Sequence, residues 1–471
     1  MALDYFRERA AAKLPGVFNS EFWDSIIFQA SFAEPAVLHA VIALGAMHRH
    51  KWSLGASLEK DGPMRSNEPL ALQHYNKAIG YLLRHGESRD QRSLRPVLVS
   101  CVVFICIELL RGRFETARAH LRGGLKLLNE TQSHPEWTSL GDQNGSVDGT
   151  TAVPPQHASV DDLLVDTLIR LNVQSGLLGQ GAGCLQDILP GYSASATHRI
   201  PRIFRTAGAA RRHLDRLVDS VSHISAQTKS ISMHCHIPEC VVQEKELLQT
   251  SLARWLCTYT SSLPSLTSNA NIKTTLSLLL LRLYHTMASL MASTCLRLTD
   301  ETIFDLHTQE FTDILAQAVE LFRKSAELME TPGSGEISSL GFTVDMGYLP
   351  ALYYVALKCR VPRLRRQAIE LLRSAPHREG VWDGEVAAYA AELVMEMEEG
   401  GCDKHAELGT DGVPSVLGKD RINHVTILLP NGAGEQAALV CERWKCGEEG
   451  VVRASWTRRF DLSFCKAWTH C

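Results

Sequence analysis

MHCHIPEC brings His234, Cys235, His236 and Cys240 within seven residues, a donor set that could hold a metal. Imidazole and thiolate are the ligands that zinc takes, but adjacent His-Cys-His side chains converge poorly on one tetrahedral ion. A polar loop near a helix start is the expected reading, and no bound metal or other cofactor is expected. A looser set, Cys441, Cys446, Cys465, His470 and Cys471, closes the chain, with Cys441 placed on a strand. It is read in the same way.

A second kind of chemistry is suggested by SVDDLLVD, which holds Asp161, Asp162 and Asp166. Terpene cyclases hold magnesium diphosphate with helical carboxylates. Asp162 and Asp166 stand four apart, on one helix face. An all-α magnesium-dependent cyclase is therefore the enzymatic alternative. No second magnesium motif follows downstream, and aspartates at a helix start cap it and suit its dipole. Capping is the expected role, and the chain is not expected to be an enzyme.

Two arginine-rich stretches remain. RIPRIFRTAGAARRHLDR carries Arg199, Arg202, Arg205, Arg211, Arg212 and Arg216, which could meet nucleic acid or an acidic partner. The net charge of −4 and pI near 6.6 favour a solvated helix face instead. The second stretch, CRVPRLRRQAIELLRSAPHREGVWDG, runs from Cys359 to Gly384. Its arginines could grip phosphate, line a pocket or brace helices. Nucleophile elbows, dinucleotide-binding glycine patterns and phosphate-loop Lys-Ser/Thr signatures are absent.

The elements that position these residues are mostly helical. PAVLHAVIALGAMHRH is apolar and alanine-rich, and PLALQHYNKAIGYLLRHG places Leu72, Tyr75, Ile79, Leu82 and Leu83 on one stripe. PVLVSCVVFICIELLRG is apolar nearly all round, which predicts a central helix. LSLLLLRLYHTMASLMASTCL is interrupted by Arg282 and His285, so it reads as a core helix rather than a membrane span. The 13 cysteines, odd in number and mostly in apolar runs, read as buried free thiols.

The chain divides into an N-terminal helical part (1–130), a polar loop (131–159), a C-terminal helical part (160–400), a linker (401–420) and a β-rich end (421–471). In that end HVTILLP, AALVCERW and VVRASW are separated by glycine turns. The predicted fold class is all-α, with a small antiparallel β appendage.

GYLPALYYVALKCRVPRLRRQAIELL, followed by HREGVWDGEVAAYAAELV, resembles the regulatory half of fungal-specific transcription factors. The residues that carry the resemblance are Gly347, Pro350, Leu352, Tyr353, Lys358, Cys359 and Arg360. Arg365, Arg366, Ala368, Leu371, Leu372, Arg378, Glu379, Gly380, Trp382 and Asp383 continue it. CVVFICIELLRGRFETARAHLRGGLKLL and LIRLNVQSGLLG are similar to earlier blocks of the family, with Asn172 at a usually acidic place.

The resemblance implies a nuclear regulator of transcription, of the subgroup found near fungal secondary-metabolite clusters. Family members begin with a six-cysteine zinc module, whereas the first cysteine here is Cys101. The expectation is a regulator that works through a DNA-binding partner, or else a truncated, non-functional relative. With the regulator reading goes an optional small-molecule effector in a helical pocket. Lys358, Cys359, Arg360, Arg365, Arg366, Arg378, Glu379, Gly380, Trp382 and Asp383 are the expected structural signature, with partner contact as their second role. In RLRRQAIELLRS the expected buried stripe is Leu364, Ala368, Leu371 and Leu372. The arginines are placed beside it, Arg366 pairs with Glu370, Trp382 is an apolar anchor, and Asp383 starts the next helix.

Overall fold

A computed structural model of the chain describes residues 2–56, 67–85, 94–132, 160–179, 200–231, 237–268, 270–297, 299–330, 341–375, 377–400, 416–431, 435–447 and 450–462. The fold is all-α with a small C-terminal antiparallel sheet. Short α and π turns over residues 2–33 lead into α1 (Pro35–Ala56), α2 (Glu68–His85), α3 (Leu94–Leu110) and α4 (Phe114–Gln132). Then follow α5 (Val160–Leu177), α6 (Ala207–Ile231), α7 (Glu239–Thr267), α8 (Ile272–Thr294) and α9 (Thr308–Glu330). The last helices are α10 (Leu349–Lys358), α11 (Pro362–Arg373) and α12 (Gly384–Glu399). Residues 401–415 and most of 131–159 fall outside the described residues, so the expected loop and linker do too.

The all-round apolar helix is central. All of Leu98–Leu110 of α3 except the half-buried Cys101 is buried, between α1 and α4. The leucine-rich helix α8 is a second core rod. It is long and apolar enough to cross a membrane, but most of it is buried against α6, α7 and α9. Its N-cap is Asn271, whose side chain accepts from the Thr274 amide at 2.8 Å. In α2 the buried stripe is Ala71, Tyr75 and Ala78, while Leu83 is largely exposed. Ile79 and Leu82 of the expected stripe are partly buried against the core, so the stripe departs from expectation chiefly at Leu83.

Two three-stranded sheets complete the fold. In the first, β1 (Phe342–Thr343) pairs in parallel with β2 (Arg378–Glu379), which pairs antiparallel with β3 (Trp382–Asp383). HREGVWDG is therefore a minimal hairpin. Gly380 has φ +58°, the left-handed region that favours glycine, and its amide donates to the Thr343 carbonyl at 2.7 Å. The second sheet is a meander of β4 (His424–Leu428), β5 (Ala437–Gly447) and β6 (Gly450–Phe460). It touches the helical body through Phe460 against Tyr389 and through the polar residues described next.

Cysteine burial follows the apolar runs at Cys106, Cys295, Cys359 and Cys441, whose thiol pKa values burial pushes up. Cys257 is the exception: it lies on an exposed face of α7. No described cysteine is in a disulfide.

Candidate functional site

The signature residues fall mainly in two places, a buried charge hub and the β2–β3 hairpin, from which Glu379 also reaches the wall of a cavity. The hub is centred on Glu398, near the end of α12, whose side chain is fully buried. Arg360 donates to both its oxygens, through Nη2 at 2.6 Å and Nε at 3.3 Å. Arg365 donates to Oε2 at 2.7 Å, and the Ile422 amide to Oε1 at 2.7 Å. Burial alone would push the carboxyl pKa up. Arg360 and Arg365 outweigh it and hold it at about 2.

A second buried carboxylate, Glu301, accepts from Lys358 at 2.7 Å and from Arg360 at 2.9 Å. Arg421 reaches across from the start of the β-rich end. It donates to the Glu301 carbonyl at 2.9 Å and to both oxygens of Asp305 at 2.8 Å. Lys358 also donates to the Asn423 carbonyl at 2.7 Å. Four cations thus join α10, α11, α12, the 301–307 turn and the approach to β4. Forked guanidinium geometry suits such shared carboxylates.

This arrangement corrects the expectation for RLRRQAIELLRS. Arg365 is not beside the apolar stripe but inside it, 1% exposed, with Ala368, Ile369 and Leu372 as its buried neighbours on α11. Leu364 and Leu371 are only partly buried. Arg366 faces Glu399 at 3.5 Å instead of Glu370. Cys359 is buried at the end of α10 and serves as a small apolar residue.

The hairpin residues sit on the far side of α10. Trp382 is 1% exposed, donates its indole N–H to the Gln174 carbonyl at 3.2 Å, and meets Tyr353 edge-on. Asp383 caps α12 by accepting from the Glu385 and Val386 amides at 3.0 and 3.2 Å. Arg378 donates to the Leu109 carbonyl at 3.3 Å, tying the hairpin to the end of α3.

Glu379 is fully buried and caps α10 from a distance. Its Oε2 accepts from the Gly347 and Leu349 amides at 2.7 and 3.2 Å, and its Oε1 lies 3.0 Å from His377 Nε2. A Cβ at Gly347 would overlap Oε1, which explains the glycine. Gly347→Ala is expected to displace the carboxylate and lower stability by about 1–3 kcal/mol, as for a lost charged hydrogen bond. Urea denaturation reads this, and an unchanged midpoint would exclude the capping role.

Glu379 and His377 also line a cavity of about 120 Å³ between α8, α9, the 343–348 segment and Val17. Nothing in the spacing of the sequence announces this cavity. Its walls come from five separated segments, which only tertiary packing brings together.

A second charge cluster lies behind the cavity. Asp345 accepts from Arg211 at 2.7 Å and lies 3.5 Å from Arg170. Burial opposes its charge, but the two arginines outweigh burial and lower its pKa. Arg212 and Arg216 lie 3.6 and 3.4 Å from Asp166. The expected solvated face of α6 is thus corrected. Arg211 is buried over the ring of Phe18, and Arg212 and Arg216 turn inward to a carboxylate. Arg202 and Arg205 are exposed, and Arg199 lies outside the described residues.

The aspartate motif does not form a shared metal face. Asp166 is buried among arginines, and Asp162 is exposed. The side chain of Asp161 lies outside the described residues, as do His234, Cys235, His236, Cys465, His470 and Cys471. The Cys446 side chain is likewise undescribed, and Cys240 is exposed. Among the described residues, no three His, Cys, Asp or Glu side chains are grouped as a metal site would need.

A family model described as "Fungal specific transcription factor domain" matches residues 1–342. The match ends at β1, just ahead of the signature residues. The chain is 24% identical, over 463 residues, to "Aspercryptin biosynthesis cluster-specific transcription regulator atnN" of Emericella nidulans. That alignment covers 82% of this chain and 72% of the relative. It is 30% identical over 137 residues to "Transcription regulator lscL" of Purpureocillium lilacinum, covering 28% of this chain and 30% of the relative. No solved structure matches.

Proposed function

From the premise that this chain belongs to the fungal-specific transcription factor domain family, we propose that it is a nuclear transcription regulator of a secondary-metabolite gene cluster, acting through a DNA-binding partner. The observation that carries this reading is the family match over residues 1–342, together with similarity to a cluster-specific regulator over 82% of the chain. Its charge distribution supports the role of the partner. Arg211, Arg212 and Arg216 are turned onto internal carboxylates, and the net charge is −4, so these cations are not a surface for phosphate.

The same contacts disfavour the cyclase alternative. A magnesium site needs carboxylates open to the ion, whereas Asp166 is buried against two guanidinium groups. The signature residues are proposed as structural: Lys358, Arg360 and Arg365 brace carboxylates, Trp382 fills the core, and Glu379 and Asp383 cap helices.

The test pairs two measurements. Deleting the gene in its host is expected to change transcripts of a secondary-metabolite cluster under inducing conditions. Unchanged transcripts would overturn the regulator reading. The purified chain is expected to bind DNA weakly, without sequence preference and with strong salt dependence. Tight, sequence-selective binding at physiological salt would overturn the need for a partner.

A further inference from the structure

We propose that the cavity beside β2 is a ligand site for a small, mostly apolar, single-ring compound that carries a hydroxyl group, with His377 as its polar anchor. Size sets the first limit. The cavity holds about 120 Å³, on the same scale as the roughly 150 Å³ apolar cavity that takes up benzene. Val17, Leu280, Leu321, Phe322, Ala326 and Met346 make its walls chiefly hydrocarbon, as ligand pockets usually are.

The polar requirement comes from one atom. His377 Nε2 lies 3.0 Å from Glu379 Oε1. A carboxylate accepts but does not donate, so Nε2 carries the proton. The other ring nitrogen, Nδ1, is buried and has no hydrogen-bond partner among the described residues. A buried polar atom left unpartnered is uncommon and calls for an unseen partner. Tyr348 fixes the ring edge-on, with centroids 5.6 Å apart.

The other charged groups on this wall are already engaged. Asp345 is held by Arg211, and Glu379 by two backbone amides. A hydroxyl is the group that fits Nδ1 in either protonation state of the ring. It donates to the lone pair of the neutral imidazole and accepts from the N–H of the charged one.

The site has a mechanical outlet. Glu379 links His377 to the first turn of α10, and α10 ends at Lys358 in the charge hub. Any effect of occupancy on gene expression rests on the regulator reading above, but binding itself does not.

The probes are 4-methylphenol and p-xylene, which have similar shapes but differ in the hydroxyl. Calorimetric titration of the purified full chain is expected to show 4-methylphenol bound about fivefold more tightly, the scale of one net hydrogen bond. His377→Phe is expected to erase this preference while p-xylene still binds. Ala326→Phe, which fills the cavity from α9, is expected to abolish binding of both.

Failure of the wild-type chain to bind either probe, or equal affinity for the two, would overturn the proposal. That comparison needs no variant, so it stands even if His377→Phe fails to fold. Retained preference in a folded His377→Phe chain would overturn the anchor. Because these arms read binding alone, their failure is distinct from that of the gene-deletion test.

Discussion

Glu398→Ala is expected to lower stability by about 3–5 kcal/mol, a large share of what holds an ordinary domain together. The loss comes mainly from what stays behind rather than from the bonds removed. Arg360 and Arg365 are 2% and 1% exposed at the side chain and share this one carboxylate. Arg365 has its Ala356 carbonyl contact at 2.9 Å in reserve, which satisfies one N–H but not its charge. The Ile422 amide also loses its acceptor, which loosens the approach to β4.

Glu399→Ala is the internal control. Its pair with Arg366 is 3.5 Å long and partly exposed, so removal should cost 0 to about 1 kcal/mol. Urea titrations of the two variants should therefore separate clearly. Similar midpoints would show that water reaches Glu398 and that the hub is not dry.

Acidification is the second large effect, and buried histidines set its direction. His48 and His285 are each 5% exposed. Burial, aided by Lys13, pulls the pKa of His48 from 6.5 down to about 4. Burial does the same to His285, against the opposing hydrogen bond from its Nε2 to the Leu252 carbonyl at 3.0 Å. The folded-state pKa is below the unfolded one, so the unfolded chain takes up the proton first as pH falls. The stability these residues contribute is complete above pH 6.5 and is lost down to about pH 4. Two to three pH units at about 1.4 kcal/mol each give roughly 3 kcal/mol per histidine.

His213 and His424, less deeply buried, are also pulled down to about 4 and act in the same direction. Asp215 opposes them. Burial, only partly offset by Arg211, pushes its pKa from 3.8 up to about 6, so over that window acid favours the folded state. Glu398 acts later, because its depressed pKa matters only below 4.5. The net expectation is a denaturation midpoint that is level above pH 6.5 and falls steadily towards pH 4.5. His285→Phe should reduce the slope by one proton's worth. A flat profile from pH 7 to 4.5 would contradict the burial of these rings.

What the sequence revealed of this fold depends on the range of each interaction. Asp383 was legible as a helix start because a cap acts on amides two and three residues on. Trp382 was legible as an anchor because a large ring between two apolar helices has few other places to go. Arg365 was not legible. Its carboxylate partner is 33 positions away on another helix, beyond any i to i+4 pattern. Arg366 shows the same limit: Glu370 was the local candidate, and Glu399 across the helix pair is the partner found.

Asp166 follows suit. Its place on a helix face was readable, but the arginines that surround it belong to α6, about 50 positions on. The hairpin of β2 and β3 was missed because two-residue strands show no alternation to detect. The cavity was missed for the same reason as the hub, since tertiary packing alone assembles its walls.

The hub also imposes an order on how the protein is made. Lys358, Arg360 and Arg365 are synthesised well before Glu398, and Ile422 follows Arg360 by 62 positions. At about 5–20 residues per second, this interval on the ribosome lasts roughly 3 to 12 seconds. During that time the cations have Glu301 as a carboxylate already made, but lack the one that two of them share. The nascent chain therefore has reason to keep α10 and α11 in water until α12 and the approach to β4 emerge. Closure of the C-terminal body then becomes a late, concerted event.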